Sequence, residues 1–438
     1  MLKAIKFGGS SVAGADQFRK VKNIVESDSS RRIVVSSAAG KRSSDDHKLT
    51  DLLYLCHAHL TYGVSCDEIM DSIEKRLVDI KNELSLSYDV ESDLRALRAR
   101  LNRDMSVDEL VSRGEYFTSK LLADYLGYTF VDARECVFFG FDGQVERERS
   151  YAAIRDAVEK HGRIVIPGFY GLSPTGKIKV MSRGGSDITG ALAAAAVDAD
   201  VYENWTDVSG ILMADPRIVA DPRPIPRITY GELRELAFMG ASVLHEESVQ
   251  PVKEKGIPLN IRNTNAPEDS GTMIVDHVEE EHSAQERFIT GIAGRRNFTI
   301  ITVTKHNMNT AAVLRRALEI LEKYKASVEH ITLGLDSFAL VCATAALGDG
   351  VYDVVNELQK SCQPDDVRLS DGIALVAAVG RKMPFRPGVS GKIFKALGDK
   401  GVNIRTIAQG ADETSIIVGV ENKDFETAIQ VLYEGFAG

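Results

Sequence analysis

Cysteine is scarce and scattered in this chain. Cys56, Cys66, Cys136, Cys342 and Cys362 stand far apart, with no CxxC pair and no mixed Cys/His spacing, which argues against a disulfide framework or a zinc site and leaves reduced, buried thiols as the expectation. Long apolar runs are missing too: nothing approaches the roughly 20 residues a membrane helix needs. The N-terminus passes straight into Leu2-Lys3-Ala4-Ile5-Lys6-Phe7 without a signal-peptide core, so a cytoplasmic chain is expected. Nor is there an excess of positive charge. Lys+Arg number 53 against 63 Asp+Glu, a formal net charge of −10, and such a surface does not attract nucleic acid or anionic lipid; neither is expected as a partner. What is present is 438 residues, 44% hydrophobic and 26% charged, enough for about two or three domains with substantial cores.

The most informative stretch is Ser182-Arg183-Gly184-Gly185-Ser186-Asp187, followed by an alanine-rich run to Ala196. The alanines predict a helix beginning near Ser186 or Asp187, with one of the two as N-cap. Gly184 and Gly185 allow a sharp turn and a close backbone approach, the helix N-terminus offers amide donors, and Arg183 adds a forked cation suited to an oxyanion. Taken alone, the same residues also fit a tight strand-to-helix turn capped by serine.

Ahead of this stretch, Leu2–Phe7 reads as a strand that Gly8-Gly9-Ser10-Ser11 turns into a helix over about 15–27, and Arg32–Val35 reads as the next strand. This βαβ unit could bring strand termini to one crevice. The glycines match neither a P-loop nor a dinucleotide fingerprint. Lys6 is either a phosphate-binding cation or an exposed strand lysine. After the polar loop 41–47, residues from about 50 to 125 read as a helical lobe, within which Glu115 beside Gly114 fits either an ammonium partner or a solvated helix charge. Strands are expected at 128–132 and 164–168 with a helix at 151–161 between them, then a hairpin turn at Pro174-Thr175-Gly176-Lys177 and a strand at 201–205. Thr206 and Asp207 at its end suit nucleotide polar groups or an ordinary Asx turn, and Asp215-Pro216-Arg217 can brace a turn while offering Arg217 to phosphate. Helices over 230–235 and 237–243 and a last strand over 257–262 complete this part, and Glu279–Ser283 is the candidate linker.

Beyond it the order β-α-β-β occurs twice, first over 300–303, 311–324, 327–331 and 338–342, then over 374–379, 388–397, 403–407 and 415–420. An offset of 76 residues aligns Val313 with Val389, Leu321 with Leu397 and Ile331 with Ile407, the mark of an internal duplication. Each unit is too small for a good core alone and should pack on the other or on a second chain.

Four ordered motifs now stand together: Lys6-Phe7-Gly8-Gly9-Ser10-Ser11, Ser182–Asp187, Trp205-Thr206-Asp207-Val208-Ser209-Gly210 with Asp215-Pro216-Arg217, and Gly240-Ala241-Ser242-Val243-Leu244-His245. With the duplicated tail, in which Arg386-Pro387-Gly388-Val389 resembles an ACT strand-to-helix turn, nearly the whole chain resembles the aspartate kinases. The resemblance implies an α/β amino-acid-kinase fold, an αβα sandwich over 1–285, followed by two ferredoxin-like βαββ ACT units over 286–372 and 373–438, with a C-terminal helix from Thr427 able to return to the first. It implies transfer of the ATP γ-phosphoryl group to the side-chain carboxylate of L-aspartate, with Mg2+ accompanying ATP and no protein-held metal site. Lys6 and Asp187 are implied as catalytic residues. Ser36, Thr50, Glu115, Arg183 and Ser186 are implied for aspartate, and Lys6, Gly8, Gly9, Ser10, Thr206, Asp207, Met213, Arg217, Ser242 and Val243 for ATP. Met213 stands where others have tyrosine, and Ser242 where many relatives carry a lysine. An effector, lysine or threonine, is implied at Met308, Ser327, Val328, Glu329 and Asp336, in a homodimer or dimer of dimers built through the ACT units. No dehydrogenase segment follows, so a monofunctional enzyme is expected. The competing readings are a glutamate-type or uridylate kinase of the same fold and an ACT amino-acid sensor without kinase activity.

Overall fold

The computed structural model describes residues 1–182, 184–241, 244, 246–278, 288–307 and 309–436; the expected linker at 279–283 lies outside them. The chain divides into two compact units that interleave in sequence. The first comprises Met1–Ile211, Pro224–Tyr230 and Val243–Glu279, the second Leu212–Arg223, Gly231–Ser242 and Glu280–Gly438.

In the first unit, strand β1 (Lys3–Phe7), helix α1 (Ala15–Glu26) and strand β2 (Arg31–Ser36) form the expected βαβ start. The helical lobe follows as α2 (Leu49–Tyr62), α3 (Asp67–Leu84), α4 (Val90–Arg98), α5 (Val107–Val111) and α6 (Arg113–Leu126). Then come β3 (Thr129–Phe130), α7 (Ala133–Cys136), α8 (Arg147–His161), β4 (Ile164–Pro167), the hairpin β5 (Tyr170–Leu172) and β6 (Ile178–Val180), α9 (Gly185–Ala196) and β7 (Val201–Thr206). The remaining elements are β8 (Arg227–Thr229), α10 (Tyr230–Phe238), which runs into the second unit, α11 (Glu246–Glu254), β9 (Leu259–Asn263) and β10 (Thr272–Val275). Eight strands form one sheet in the order β3-β4-β2-β1-β7-β9-β10-β8, parallel throughout except for the β9–β10 pair.

Strand alternation assigns the two faces. Ile5 and Phe7 of β1 join the apolar cluster of Phe18, Leu121 and Trp205, on the side of α1 and α6. Ala4 and Lys6 turn to the other face, where α9 lies on β1, β2 and β7. Ala191 and Ala193–Ala196 of α9 are fully buried; their small side chains let the helix sit close to the sheet.

On the face of Ile5 and Phe7 the same strands are pinned by charge. Glu203 of β7, 1% exposed, accepts from Arg31 Nε at 2.9 Å, Lys3 Nζ at 3.0 Å and Trp205 Nε1 at 2.9 Å. These donors hold its carboxyl below the usual range against the opposing effect of burial.

The second unit continues with β11 (Gly291–Thr304), α12 (Thr310–Lys323), β12 (Val328–Leu333), β13 (Ser337–Ala343), α13 (Thr344–Leu347), α14 (Val351–Cys362), β14 (Asp366–Val379), α15 (Val389–Asp399), β15 (Thr406–Gln409), β16 (Ser415–Glu421) and α16 (Phe425–Phe436). Its six strands form an antiparallel sheet, β12-β13-β11-β14-β16-β15. Both long strands serve two cores. The second half of β11 pairs with β13, and a bulge between Arg295 and Phe298 separates it from the first half, which pairs with the end of β14. Ile301, Leu321, Phe338 and Leu358 centre one core; Ile292, Val376, Ile393 and Leu432 centre the other. The C-terminal helix therefore packs beside α15 in the second core, and it is the start of β11 that crosses over.

Three local expectations change, and some elements come unannounced. Helix α9 starts at Gly185, with Gly184 as N-cap at φ 79° and no side-chain cap, so Ser186 and Asp187 lie inside the first turn. Met239 and Gly240 form a turn rather than the start of a helix over 237–243. The strand expected at 403–407 begins at Thr406, and α11 and β10 come without a sequence expectation. All five cysteines are free and buried, and among the described residues no helix is long and apolar enough to cross a membrane.

Breaking a buried ion pair by removing one partner strands the other charge. Glu203→Gln should lower stability by about 3–5 kcal/mol, read as a fall in the denaturant midpoint of the first unit.

Candidate active site

Parallel register places the first charged pair. Lys6 on β1 stands directly opposite Asn204 on β7, so both side chains rise from the same sheet face toward the N-terminus of α9. There Asp187, freed from capping, meets them: Lys6 Nζ lies 2.6 Å from Asp187 Oδ1, Asn204 Nδ2 donates to the same oxygen at 2.8 Å, and Lys6 Nζ donates to Asn204 Oδ1 at 3.4 Å. Tyr202 of β7 donates its hydroxyl to the Asp187 carbonyl at 3.2 Å. Lys6 is 7% exposed and Asn204 3%, so the triad sits in a low-dielectric position open on one side. Asn204 is the member that sequence reasoning missed.

Two loops close around it. Gly40 N–H donates to the Gly9 carbonyl at 2.8 Å, and a Cβ on Gly40 would lie 2.5 Å from the Gly9 carbonyl carbon, so glycine is required by the approach of the loops after β1 and β2. Arg76, reaching out of α3 and buried, braces them by donating to the Gly40, Ala13 and His47 carbonyls. Gly8 N–H is engaged by the Trp205 carbonyl at 2.9 Å, which corrects the expectation of a free Gly8 amide; the amides at the start of the turn formed by Gly9–Val12 are those of Gly9 and Ser10. Gly168, just after β4, lacks the Cβ that would fall 2.6 Å from Ser186 Oγ, and so lets Ser186 settle at the crevice floor. Ser36, at the end of β2, is fully buried and donates to the Ser37 carbonyl.

A second acid lies in the helical lobe. Glu115, in the first turn of α6, is 4% exposed, and its Oε2 is buried without a hydrogen-bond partner. Burial pushes its carboxyl up to about 8, against the Ala38 N–H that favours the charged form. Gly114 packs against Ala38 and Thr50, which fixes Thr50 at the same wall. An orphaned buried carboxylate is costly unless a cation completes it.

The other expected residues lie as follows. Thr206 donates to Asp207 Oδ1 at 3.1 Å at the end of β7. Met213 and Arg217 belong to the second unit. Met213 is buried, its backbone bonded to Arg223 and Ile292, and Arg217 folds back on Asp215, with Nε 3.0 Å from Oδ1. In the same unit Glu329 on β12 lies 3.5 Å from Arg295 Nη1, which also donates to the Phe238 carbonyl at 3.3 Å. Val328 lines the core beneath β12, Ser327 is exposed, and Asp336 faces His306 at 3.4 Å. Arg183, Ser242, Val243 and Met308 lie outside the described residues.

Among the described residues no three His, Cys, Asp or Glu side chains gather as a metal cage. Mg2+ does not need one: it keeps most of its waters and binds through one or two carboxylates plus substrate phosphates. Asp187 fits this role, because both of its side-chain contacts fall on Oδ1.

Comparison with known proteins identifies the fold and the family. Residues 1–263 match the amino acid kinase family and residues 376–436 the ACT domain. Aspartokinase 3 of Bacillus subtilis is 34% identical over 452 residues, covering 99% of this chain and 98% of that protein. The crystal structure of Clostridium acetobutylicum aspartate kinase superposes with a TM-score of 0.92 at 45% identity, covering 99% of both chains. Escherichia coli aspartokinase III, solved with aspartate and ADP, gives a TM-score of 0.74 at 28% identity over the full length of both. The chain belongs to the amino acid kinase family and, within it, to the aspartokinases.

The Glu115 environment carries a stability signature. A carboxyl raised in the folded state to about 8 from the ordinary 4.5 keeps its proton where the unfolded chain has lost it. Stability is thus fully present below the unfolded value, falls by about 1.4 kcal/mol per pH unit as pH rises through this window, and levels off above it. Chemical denaturation from pH 5 to 9 should show this slope in the ligand-free protein, and Glu115→Gln should flatten it.

Proposed function

We propose that this aspartokinase moves the γ-phosphoryl group of ATP onto the side-chain carboxylate of L-aspartate through the residues gathered at the crevice, giving 4-phospho-L-aspartate and ADP. The observation that carries the reading is the Lys6–Asp187 ion pair, 2.6 Å long, at strand ends where ligands of open α/β sheets bind.

The attacking carboxylate is already anionic, so no strong base is needed. The barrier is the approach of an anion to a polyanion, and positioning and charge neutralisation lower it. Lys6 turns from Asp187 to the transferring phosphoryl oxygens, and the amides of Gly9 and Ser10 support them. Gly8, its N–H held by the Trp205 carbonyl, is assigned to the nucleotide by resemblance. Glu115 takes the substrate ammonium, Arg183 its α-carboxylate, and Thr50, Ser36 and Ser186 supply the polar wall. Thr206 and Asp207 face the nucleotide, with Met213, Arg217, Ser242 and Val243 assigned to it by resemblance. Mg2+, entering with ATP, neutralises phosphate charge, and Asp187 is the residue that would hold it.

The paired ACT units act as a feedback device for lysine or threonine. Escherichia coli aspartokinase III has been solved with lysine and aspartate, which supports this reading. Glu329 and Asp336 are the acids suited to an effector ammonium, beside Met308, Ser327 and Val328. Edge strands β12 and β15 expose Ile331, Leu333 and Ile407, which supports pairing of two chains through this sheet in a homodimer or dimer of dimers, in the cytoplasm. A sensor without kinase activity would not need Lys6 and Asp187 paired at the crevice.

Hydroxylamine trapping with MgATP should give an acyl-phosphate signal with aspartate and none with glutamate, N-acetylglutamate or UMP, suppressed by lysine or by threonine. Lys6→Ala should lower kcat by about 100-fold or more in a protein that still folds. No signal with aspartate from folded protein, or wild-type turnover in Lys6→Ala, would overturn the reading.

A further inference from the structure

Asn204 lies in the middle of a parallel strand, 3% exposed, where both sheet faces are covered and an apolar side chain is the usual occupant. A buried amide there must be hydrogen-bonded to be tolerated, and its partners are the two charged residues of the crevice. Nδ2 donates to Asp187 Oδ1 at 2.8 Å, and Oδ1 accepts from Lys6 Nζ at 3.4 Å. The amide is therefore a third member of the pair, and it makes a separate bond to each ion.

That arrangement has a consequence once the pair opens, and it rests on the reading of Lys6 and Asp187 given above. Direct contact between the ions, 2.6 Å, competes with the contact of Lys6 with phosphate. Without a third group, leaving Asp187 would strand a carboxylate that is 19% exposed, a costly state in a low-dielectric site. We propose that Asn204 is a positioning residue for phosphoryl transfer: its amide keeps Asp187 Oδ1 bonded and oriented while Lys6 moves onto the transferring group. The cross-strand register of Lys6 with Asn204 makes this possible without any backbone movement. The amide touches neither substrate nor phosphate in this role. It lowers the cost of breaking the resting ion pair.

The test compares wild type with Asn204→Ala, Asn204→Leu and Asp187→Asn in the full chain, with steady-state kinetics for aspartate and MgATP and thermal unfolding of each. Asn204→Leu fills the volume that Asn204→Ala empties, so a shared kinetic loss cannot come from a cavity. The expected result is a fall in kcat of about 10- to 100-fold in both Asn204 variants, an aspartate KM within about threefold, and a melting temperature close to wild type for Asn204→Leu. Because the amide acts through Asp187, adding Asn204→Leu to Asp187→Asn should cost little beyond Asp187→Asn alone. Turnover within about twofold of wild type in Asn204→Leu, or losses that multiply in the double variant, would overturn the proposal. Wild-type protein without aspartate-dependent turnover would instead remove the reading on which the proposal stands.

Discussion

Everything at the crevice is arranged around the contact between Lys6 and Asp187. It ties the central strand β1 to the first turn of α9, and three features have to agree for it to form. Strand alternation must send Lys6 to the α9 face, the alanine side of α9 must let the helix lie close to the sheet, and Gly184 must begin the helix early enough to put Asp187 inside its first turn. Were Asp187 the N-cap, its carboxylate would be turned back on its own helix amides. The buried cluster of Glu203, Arg31, Lys3 and Trp205 ties β1, β2 and β7 together on the opposite face, so one face of the sheet provides rigidity and the other chemistry.

The two crevice acids are in opposite resting states. Asp187 is satisfied by a lysine and an amide, whereas Glu115 is buried with an oxygen that no donor reaches. Both departures from an ordinary core make sense as places that a ligand completes, the first by drawing the lysine away and the second by supplying a cation. In the second unit, sharing of β11 and β14 between two cores joins the ACT units into one sheet, and the bulge beside Arg295 marks the joint. Arg295 there links Glu329 on β12 to the carbonyl end of α10.

Much of this is legible in the sequence. Ile33-Val34-Val35, Ile164-Val165-Ile166 and the duplicated β-α-β-β pattern announce their strands because a sheet covered on one or both faces selects β-branched apolar runs. Lys6, Asp187 and Glu115 stand out through glycine turns and family motifs, and the structure brings Lys6 and Asp187 together. What escapes the sequence depends on partners distant in the chain. Asn204 looks like one polar interruption of a strand until the β1–β7 register is known, and Arg76 looks like a solvated helix arginine until its carbonyl partners appear. The start of α9 escapes the sequence because a left-handed glycine takes the cap that propensity gives to serine or aspartate. Strand β10 is four residues long after a turn, too short for a period to show.

On the role proposed for Glu115, the resting crevice holds its carboxyl uncharged until the substrate ammonium arrives. Calorimetry of aspartate binding at pH 7, with saturating ADP and in buffers of different ionisation enthalpy, measures it directly. With the carboxyl raised to about 8, binding should release about one proton per aspartate in the wild type and almost none in Glu115→Gln. Binding without proton release in the wild type, or equal release in both proteins, would contradict the account.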